Sequence, residues 1–288
     1  MRSPLDRVKA AGDPGPPDFV GVGALGSGIG WWHSLLVAHP EIRAPHGGGR
    51  SLNFFVRFCA QEMTDADIAA YHEHFPAQDG TICGEWTGRY MFDAWTPPLL
   101  RRTAPGARLL VMLSDPIERY REIFGDRLVK RAEGERLYTA DVVDRRSFGA
   151  QLARLHRFYD PERILVLQYE RCRREPVEQY RRTLEFLGVR DTGFVPRRLS
   201  GAPAGKPRSV AAAALLRMAP QAGRRRRVAE RLAGRPVAAR PTAPLWPDLE
   251  AALHTALEPD VEALHALVPE LDLTLWPNFP PSAGPVAA

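Results

Sequence analysis

The sequence has 288 residues, a hydrophobic fraction of 44% and a formal net charge of +5. These values are typical of a globular protein with enough chain for a sizeable core. No apolar run is long enough to cross a bilayer, so we expect no membrane partner. The cysteines Cys59, Cys83 and Cys172 form no C-x-x-C pair, which argues against a zinc site or a disulfide framework. We therefore expect no metal and a cytoplasmic location.

Four ranges of the chain differ in composition. Residues 1–17 are polar and rich in Pro and Gly, without the apolar core of a signal peptide, and we predict that they are disordered. Residues 18–280 form the predicted domain, in which 201–244 reads as a mobile basic loop region. Residues 281–288 read as a disordered tail. No aromatic residues are interleaved with the basic run Arg224–Arg227, so we expect no nucleic acid partner.

Strands and helices alternate along the predicted domain. Continuous apolar runs predict buried strands at Phe19–Gly23, Arg108–Leu113 and Arg163–Gln168. Capping residues and apolar spacing predict helices at Trp31–Ala38, Thr64–His74, Asp93–Thr103, Ser147–Tyr159, Pro176–Leu187, Pro247–Leu257 and Pro259–Leu267, with another beginning at Pro116. This order predicts an α/β fold: a single domain with a central, mainly parallel sheet flanked by helices.

A glycine-rich stretch follows the first predicted strand and leads into the first helix. Its backbone N–H groups and the helix N-terminus would meet at one place, which suits a phosphate group. The turn from Gly23 to Gly30 contains no Lys, Arg or Thr, and no Gly-Lys-Ser/Thr of a Walker A loop follows. The alternative is a tight turn that needs glycines for its conformation alone.

Six segments, taken in order, resemble those of sulfotransferases that use 3′-phosphoadenosine 5′-phosphosulfate (PAPS). They are Phe19–Pro40, Ser51–Phe55, Gly84–Tyr90, Leu110–Phe124, Arg163–Val189 and Leu273–Phe279. The resemblance implies a P-loop-kinase-like sulfotransferase fold with PAPS as co-substrate. It also implies transfer of a sulfuryl group to the hydroxyl of a small-molecule acceptor, without a metal.

The resemblance also assigns the donor-binding positions and shows where this chain departs from the family pattern. These positions are Gly26, Ser27, Gly28, Ile29, Gly30, Ser114 and Glu122. The family has Lys or Arg where Leu25 or Gly26 stands here, and paired Thr at Ile29 and Gly30. It has Arg at Ser114 and Ser at Glu122, and both of these bind the 3′-phosphate. We therefore expect weak donor binding.

Acid–base candidates are few. The family positions associated with the acceptor base are occupied by Ser51 and Asn53. Glu85 could act as a base if it faces the cleft, or it could be a structural carboxylate that accepts backbone hydrogen bonds. His33, on the first helix near the loop, could serve the site or simply pack on the helix surface.

Three interpretations of function remain open from the sequence. The first is a sulfotransferase with an eroded PAPS site. The second is an enzyme of different chemistry that uses another donor on the same scaffold. The third is a non-catalytic binding protein. The sequence does not predict the acceptor or the oligomeric state.

Overall fold

The computed structural model describes residues 12–47, 49–78, 80–121, 147–196, 199 and 247–280. The predicted loop region 201–244, the predicted tail 281–288 and Glu122 lie outside these ranges. The elements below belong to one compact unit, which is built from Met1–Pro196 and Ala243–Ala288.

Five strands form the central sheet, and every pair of neighbours is parallel. The strands are β1 (Phe19–Gly23), β2 (Ile42–Arg43), β3 (Ile82–Trp86), β4 (Arg108–Leu113) and β5 (Ile164–Gln168), in the spatial order β2-β3-β1-β4-β5. The prediction that β1, β4 and β5 are neighbouring parallel strands is confirmed. The last strand begins one residue later than predicted, because Pro161–Arg163 forms a 3₁₀ turn.

Apolar side chains on the strands explain why β1 is central. Val20 of β1 pairs with Glu85 of β3 on one side and with Leu109 of β4 on the other. Val20 and Leu109 belong to a buried apolar cluster that also includes Leu264, from a helix near the end of the chain. A strand buried on both faces favours a continuous apolar run, as the sequence shows. The carboxyl ends of all five strands lie at one edge of the sheet.

Helices flank this sheet. They are α1 (Ile29–Leu36), α2 (Asp65–His72), α3 (Thr96–Thr103), α4 (beginning at Pro116 and described through 121), α5 (Phe148–His156), α6 (Tyr169–Arg174), α7 (Pro176–Leu187) and α8 (Pro247–Leu267). Short 3₁₀ helices also occur at Phe54–Cys59 and Leu273–Leu275. Most helix ends agree with the predicted bounds to within three residues.

Two helix boundaries follow directly from capping chemistry. Thr64 and Asp67 form a capping box at the start of α2, so the predicted N-cap is confirmed. Pro176 begins α7, and Gly188 ends it in the left-handed conformation with φ 71°. The predicted range of this helix is confirmed at both ends.

The prediction of two short helices at the end of the chain is wrong. Pro259 lies inside the continuous helix α8. Proline removes one backbone donor, but a buried stripe at helical spacing, Leu253, Leu257, Val261 and Leu264, holds both halves in the core. Next to the proline, the Asp260 carboxylate accepts from the backbone N–H groups of Gly149 and Ala150 and so caps α5. Packing on both sides of Pro259 therefore offsets the lost hydrogen bond.

The hydrogen-bonded chain also begins earlier than predicted. Gly12 N donates to Ala77 O at 2.8 Å, and Ala77 N donates to Asp13 O at 2.9 Å. This reciprocal pair fastens Gly12 and Asp13, which belong to the segment that the sequence predicts to be disordered. An extended stretch can satisfy its backbone this way without apolar side chains of its own.

Candidate functional site

The glycine-rich loop lies where the central strand β1 ends and α1 begins. Gly26 has φ 91° and Gly28 has φ 79°, a conformation that favours glycine. Gly28 is the N-cap of α1, and its carbonyl accepts from Trp31 N at 2.9 Å. The N–H groups of the next residues, Ile29 and Gly30, have no acceptor within the helix because they belong to its first turn. The loop therefore has the backbone arrangement with which glycine-rich loops at helix N-termini bind anions in other proteins.

The ends of β1 and β4 meet through two hydroxyl groups. Ser114 Oγ donates to Ser27 Oγ at 3.0 Å, and both side chains are buried. Nearby, Ala24 N donates to Met112 O at 2.8 Å, which fastens the loop to the end of β4. The structure thus brings together the two positions that the family resemblance assigns to the opposite ends of the donor. Both side chains are neutral.

An aromatic ring covers another side of the loop. A Cβ on Gly28 would lie 2.4 Å from Cδ2 of Tyr169, the first residue of α6. The Tyr169 ring also meets Trp31 edge to face, with centroids 6.2 Å apart. Gly28 therefore serves two needs, a positive φ and a close approach by the segment that follows β5.

Sequence reasoning missed one cation beside the loop. A Cβ on Gly30 would lie 3.1 Å from Nη1 of Arg50, so the guanidinium lies against the first turn of α1. The Arg50 side chain is half-buried, and burial lowers its pKa. The signal available in the sequence was its place directly before Ser51, in a segment with family resemblance. Nothing in the sequence indicates that this segment reaches position 30.

Glu85 lies in the core and its carboxylate is saturated with hydrogen bonds. Its side chain is 0% exposed. One oxygen accepts from Tyr71 Oη at 2.8 Å and Tyr90 Oη at 3.1 Å, and the other accepts from Thr87 Oγ1 at 2.6 Å and Leu52 N at 3.0 Å. Burial raises the pKa of Glu85. This geometry favours the structural alternative, and the role of base stays a prediction that no contact with an open cleft supports.

The hydrogen bonds around Glu85 also hold the segment that contains Ser51 and Asn53. Trp86 N donates to Arg50 O at 2.8 Å, and Ser51 Oγ donates to Trp86 O at 2.9 Å. Asn53 N donates to Thr87 Oγ1 at 3.2 Å. Asn53 is exposed and has φ 51°, which asparagine tolerates better than most residues. Neither Ser51 nor Asn53 has a side chain that ionises near neutral pH.

Beyond Ser114, the chain turns into α4 with its backbone donors fully used. Asp115 Oδ1 accepts from Ile117 N at 2.8 Å and Glu118 N at 3.1 Å, which caps the helix. Asp115 Oδ2 accepts from both the backbone N–H and the side-chain amide of Asn278. The closing Leu273–Phe279 segment is thereby fastened to the end of β4.

A second acidic side chain lies behind this turn. Glu170 accepts from Asp115 N at 3.0 Å and from Trp276 Nε1 at 3.0 Å. Burial raises the pKa of Glu170 to about 7. The region next to Ser114 therefore contains carboxylates, and among the described residues here we find no arginine in the place that the family reserves for the 3′-phosphate.

His33 lies under the loop on the inner side of α1. It is 5% exposed, and its Nε2 has no hydrogen-bond partner among the residues that the structure describes. Burial and, to a smaller extent, the positive charge of Arg50 together lower the pKa of His33 to about 4. A neutral, buried imidazole agrees with the packing alternative.

Two buried tryptophans lie near the loop. Trp86 Nε1 donates to Gly23 O at 2.9 Å, and Trp32 Nε1 donates to Thr183 Oγ1 at 3.2 Å. Both rings are 0% exposed, and the Trp86 bond holds the residue where the loop begins. Within the described ranges, no group of three or more His, Cys, Asp or Glu side chains could hold a metal ion. None of the described helices combines the length and apolar character needed to cross a membrane.

Comparisons with known proteins give a match in structure only. No model of a protein family matches the chain, and no curated protein matches it. Among solved structures, it is similar to a sulfotransferase from Alicyclobacillus acidocaldarius, with 22% sequence identity, 90% of this chain and 98% of that chain covered, and a TM-score of 0.61.

Two further similar structures are domains of biosynthetic enzymes. One is the sulfotransferase domain from the curacin biosynthetic pathway, with 12% identity, 65% of this chain and 77% of that chain covered, and a TM-score of 0.46. The other is the sulfotransferase domain from the Synechococcus PCC 7002 olefin synthase, with 14% identity, 78% and 95% covered, and a TM-score of 0.45. The Alicyclobacillus acidocaldarius structure aligns with this chain over nearly the whole of both chains. The chain has the sulfotransferase fold.

Proposed function

We propose that this protein binds PAPS at the glycine-rich loop and transfers its sulfuryl group to a hydroxyl of a small molecule. The observation that supports the proposal most is the position of Gly26–Gly30. This loop follows the central strand β1 and begins α1, at the edge of the sheet where ligands of α/β folds bind.

The loop residues would act mainly through their backbone. In sulfuryl transfer, the acceptor oxygen bonds to sulfur while the bond from sulfur to the 5′-phosphate oxygen breaks. Negative charge grows on that phosphate oxygen, and fixed N–H donors at Ile29 and Gly30 would offset it. Such a transfer depends on alignment and positive charge more than on covalent help from the protein.

The donor would bind weakly. Leu25 is 53% exposed at the tip of the loop, and Ser114 is neutral, where the family resemblance implies cations. A charge-assisted hydrogen bond to phosphate contributes about 1.5–3 kcal/mol. Loss of two such contacts would weaken binding by about two to four powers of ten. Nucleotide affinity would therefore depend on whatever cation remains near the loop.

A second candidate function is nucleotide binding without catalysis. The observation that favours it is that none of the candidate positions for the acceptor base offers an accessible ionisable side chain. Ser51 donates its hydroxyl hydrogen to a backbone carbonyl, Asn53 has an amide, and Glu85 is sealed in the core. An acceptor that is already ionised, such as an acidic phenol, would need no base from the protein. For acceptors that are already ionised, we therefore favour the sulfuryl-transfer enzyme over the non-catalytic protein.

A donor assay with acidic and ordinary hydroxyl acceptors separates the two candidates. We expect incubation with PAPS and a panel of phenols and alcohols to release the product nucleotide PAP and a sulfated phenol. Leu25→Glu places a negative charge on the loop at an exposed position and should reduce turnover at least tenfold. Leu267→Glu, at the exposed end of α8, serves as the matched control.

Each result of this assay has a definite meaning. Sulfated product supports the enzyme. If the protein binds PAP but no acceptor of the panel is sulfated, the result supports the non-catalytic candidate. If the protein neither binds PAP nor consumes PAPS, both candidates are wrong and a different donor on the same scaffold is the better account.

A further inference from the structure

Gly30 and Arg50 are geometrically linked. The resemblance implies a threonine at position 30, yet a Cβ there would lie 3.1 Å from Nη1 and 3.6 Å from Cζ of Arg50. The shorter distance is tighter than an ordinary van der Waals contact, so a Cβ at position 30 would require the guanidinium to shift by a few tenths of an ångström. The missing side chain leaves the space that Arg50 approaches.

The guanidinium of Arg50 is half-buried beside the loop. No carboxylate in the described part of the chain forms an ion pair with it, and burial lowers its pKa. Partial burial of an unpaired cation costs free energy that a bound anion would offset. Its charge also lowers the pKa of His33, farther along α1.

The backbone that carries Arg50 is held firmly. Its carbonyl accepts from Trp86 N at 2.8 Å, and the next two residues bond to the same strand through Ser51 Oγ and Leu52 N. The acceptor for Leu52 N is the buried carboxylate of Glu85. The fixed starting point reduces the entropy that the arginine loses when it binds a ligand.

We propose that Arg50 contacts the 5′ anion of the donor nucleotide and supplies the positive charge that the glycine-rich loop lacks at Leu25 and Gly26. A guanidinium offers paired, planar N–H donors that match the oxygens of a phosphate or sulfate. This inference rests on the proposed function, because it takes the loop as the donor site. The ligand class is a nucleotide with a 5′-phosphate or 5′-phosphosulfate.

Removal of the charge is the first test. Arg50→Gln should weaken PAP binding by at least about tenfold in calorimetric titration, since a charge-assisted contact is lost. Arg50→Lys keeps the charge and should recover part of the affinity. Arg163→Gln is the matched control, because Arg163 bonds to Gly106 O at the amino edge of the sheet, away from the loop. This control should bind PAP as the wild type does.

A substitution at position 30 is the second test. Gly30→Thr adds a hydroxyl that the family resemblance favours, but it displaces Arg50. We expect it to weaken PAP binding several-fold, and we expect Gly30→Thr combined with Arg50→Gln to be no weaker than Arg50→Gln alone. Circular dichroism and thermal unfolding would establish that each variant is folded.

The ring of His33 provides a readout that does not depend on turnover. In histidine-labelled protein followed by NMR, Arg50→Gln should raise the pKa of His33. Saturation of the wild type with PAP or inorganic pyrophosphate should raise it as well, because negative charge arrives next to Arg50. The Arg163→Gln control should leave it unchanged.

The outcomes separate this inference from the proposed function. If the wild type binds PAP and folded Arg50→Gln binds it equally well, Arg50 has no role and the proposed function stands. If Gly30→Thr tightens binding, or Arg163→Gln weakens it as much as Arg50→Gln does, the inference is also wrong. If the wild type binds neither PAP nor pyrophosphate, both the inference and the proposed function fall.

Discussion

The hydroxyl of Ser114 donates to the hydroxyl of Ser27 at 3.0 Å, in the buried contact between the ends of β4 and β1. Position 114 is where the family resemblance implies an arginine for the 3′-phosphate. A neutral pair there offers no charge to that phosphate, and the carboxylates of Asp115 and Glu170 lie just behind it.

The first prediction is therefore weak discrimination between nucleotides with and without a 3′-phosphate. We expect PAP and 5′-AMP to bind within about fivefold of each other, because the 3′-phosphate gains no charge-assisted contact from position 114. Parallel calorimetric titrations at one ionic strength would measure the ratio. A preference for PAP of a hundredfold or more would show that a cation elsewhere binds the 3′-phosphate.

The second prediction concerns the conformation of the loop. Gly28→Ala meets both a positive φ and the ring of Tyr169, and should lower the free energy of unfolding by about 2–4 kcal/mol. Gly47→Ala is the control: φ is 88°, and nothing lies within 4 Å of the added methyl group. It should cost only about 1–2 kcal/mol. Equal losses in urea titrations would argue against the close approach of Tyr169.

The third prediction tests the role of Glu85. A glutamine at position 85 has one acceptor oxygen in place of two, so two of the four donors around it would face an amide N–H. Glu85→Gln should lower the free energy of unfolding by about 2–4 kcal/mol. Glu41→Gln, in a surface ion pair with Arg190, should change it by less than about 1 kcal/mol.

The alternative role of Glu85 is distinguished by turnover. If Glu85 is the acceptor base, the glutamine variant should lose turnover even under conditions where it is fully folded. If Glu85 is a structural carboxylate, the folded fraction of the variant should keep the turnover of the wild type. Urea unfolding followed by the PAPS assay on the folded variant therefore decides between a structural carboxylate and a base.

The fourth prediction is a pH dependence of stability that originates in His33. In the folded protein, burial and the charge of Arg50 hold the pKa of His33 at about 4, below the ordinary value of 6.5. As the pH falls, His33 therefore takes up a proton in the unfolded chain before it does so in the folded protein. The stability due to the neutral ring is complete above about pH 6.5 and is lost toward pH 4. The slope approaches about 1.4 kcal/mol per pH unit between these values.

A variant isolates this contribution from the other histidines. In His33→Gln, the free energy of unfolding should depend less on pH between 4 and 6.5. The number of protons taken up on unfolding should fall by up to one in that range. The difference between the wild-type and variant curves should be constant above pH 7. A difference that is constant over the whole range would show that the imidazole is not buried in its neutral form.

Local chemistry made much of the fold predictable. The helix α7 begins at Pro176 and ends at Gly188 because each residue has a backbone preference that acts without tertiary contacts. The apolar runs of β1, β4 and β5 predicted a buried parallel sheet for the same kind of reason. Pro259 shows where local chemistry fails to predict the fold. Its preference against a helix is overcome by the buried apolar stripe of α8 and by the Asp260 cap on α5, and both contacts involve distant parts of the chain.

The site depended more on tertiary contacts. The glycines of the loop were predictable because their conformation is local. The sequence left the role of Glu85 open, because only the fold shows that Tyr71, Thr87, Tyr90 and Leu52 surround it. Arg50 was missed for a similar reason. Its contact with Gly30 arises because the segment around it bonds to the end of β3, and no spacing in the sequence encodes that.

The most direct test of the account is a calorimetric titration of the wild-type protein with PAP at moderate ionic strength. The account predicts saturable one-to-one binding with a dissociation constant of roughly 10 μM to 1 mM, because the fold keeps the loop and Arg50 while Leu25 and Ser114 lack charge. No saturable binding at millimolar PAP would contradict the claim that the loop is a donor site.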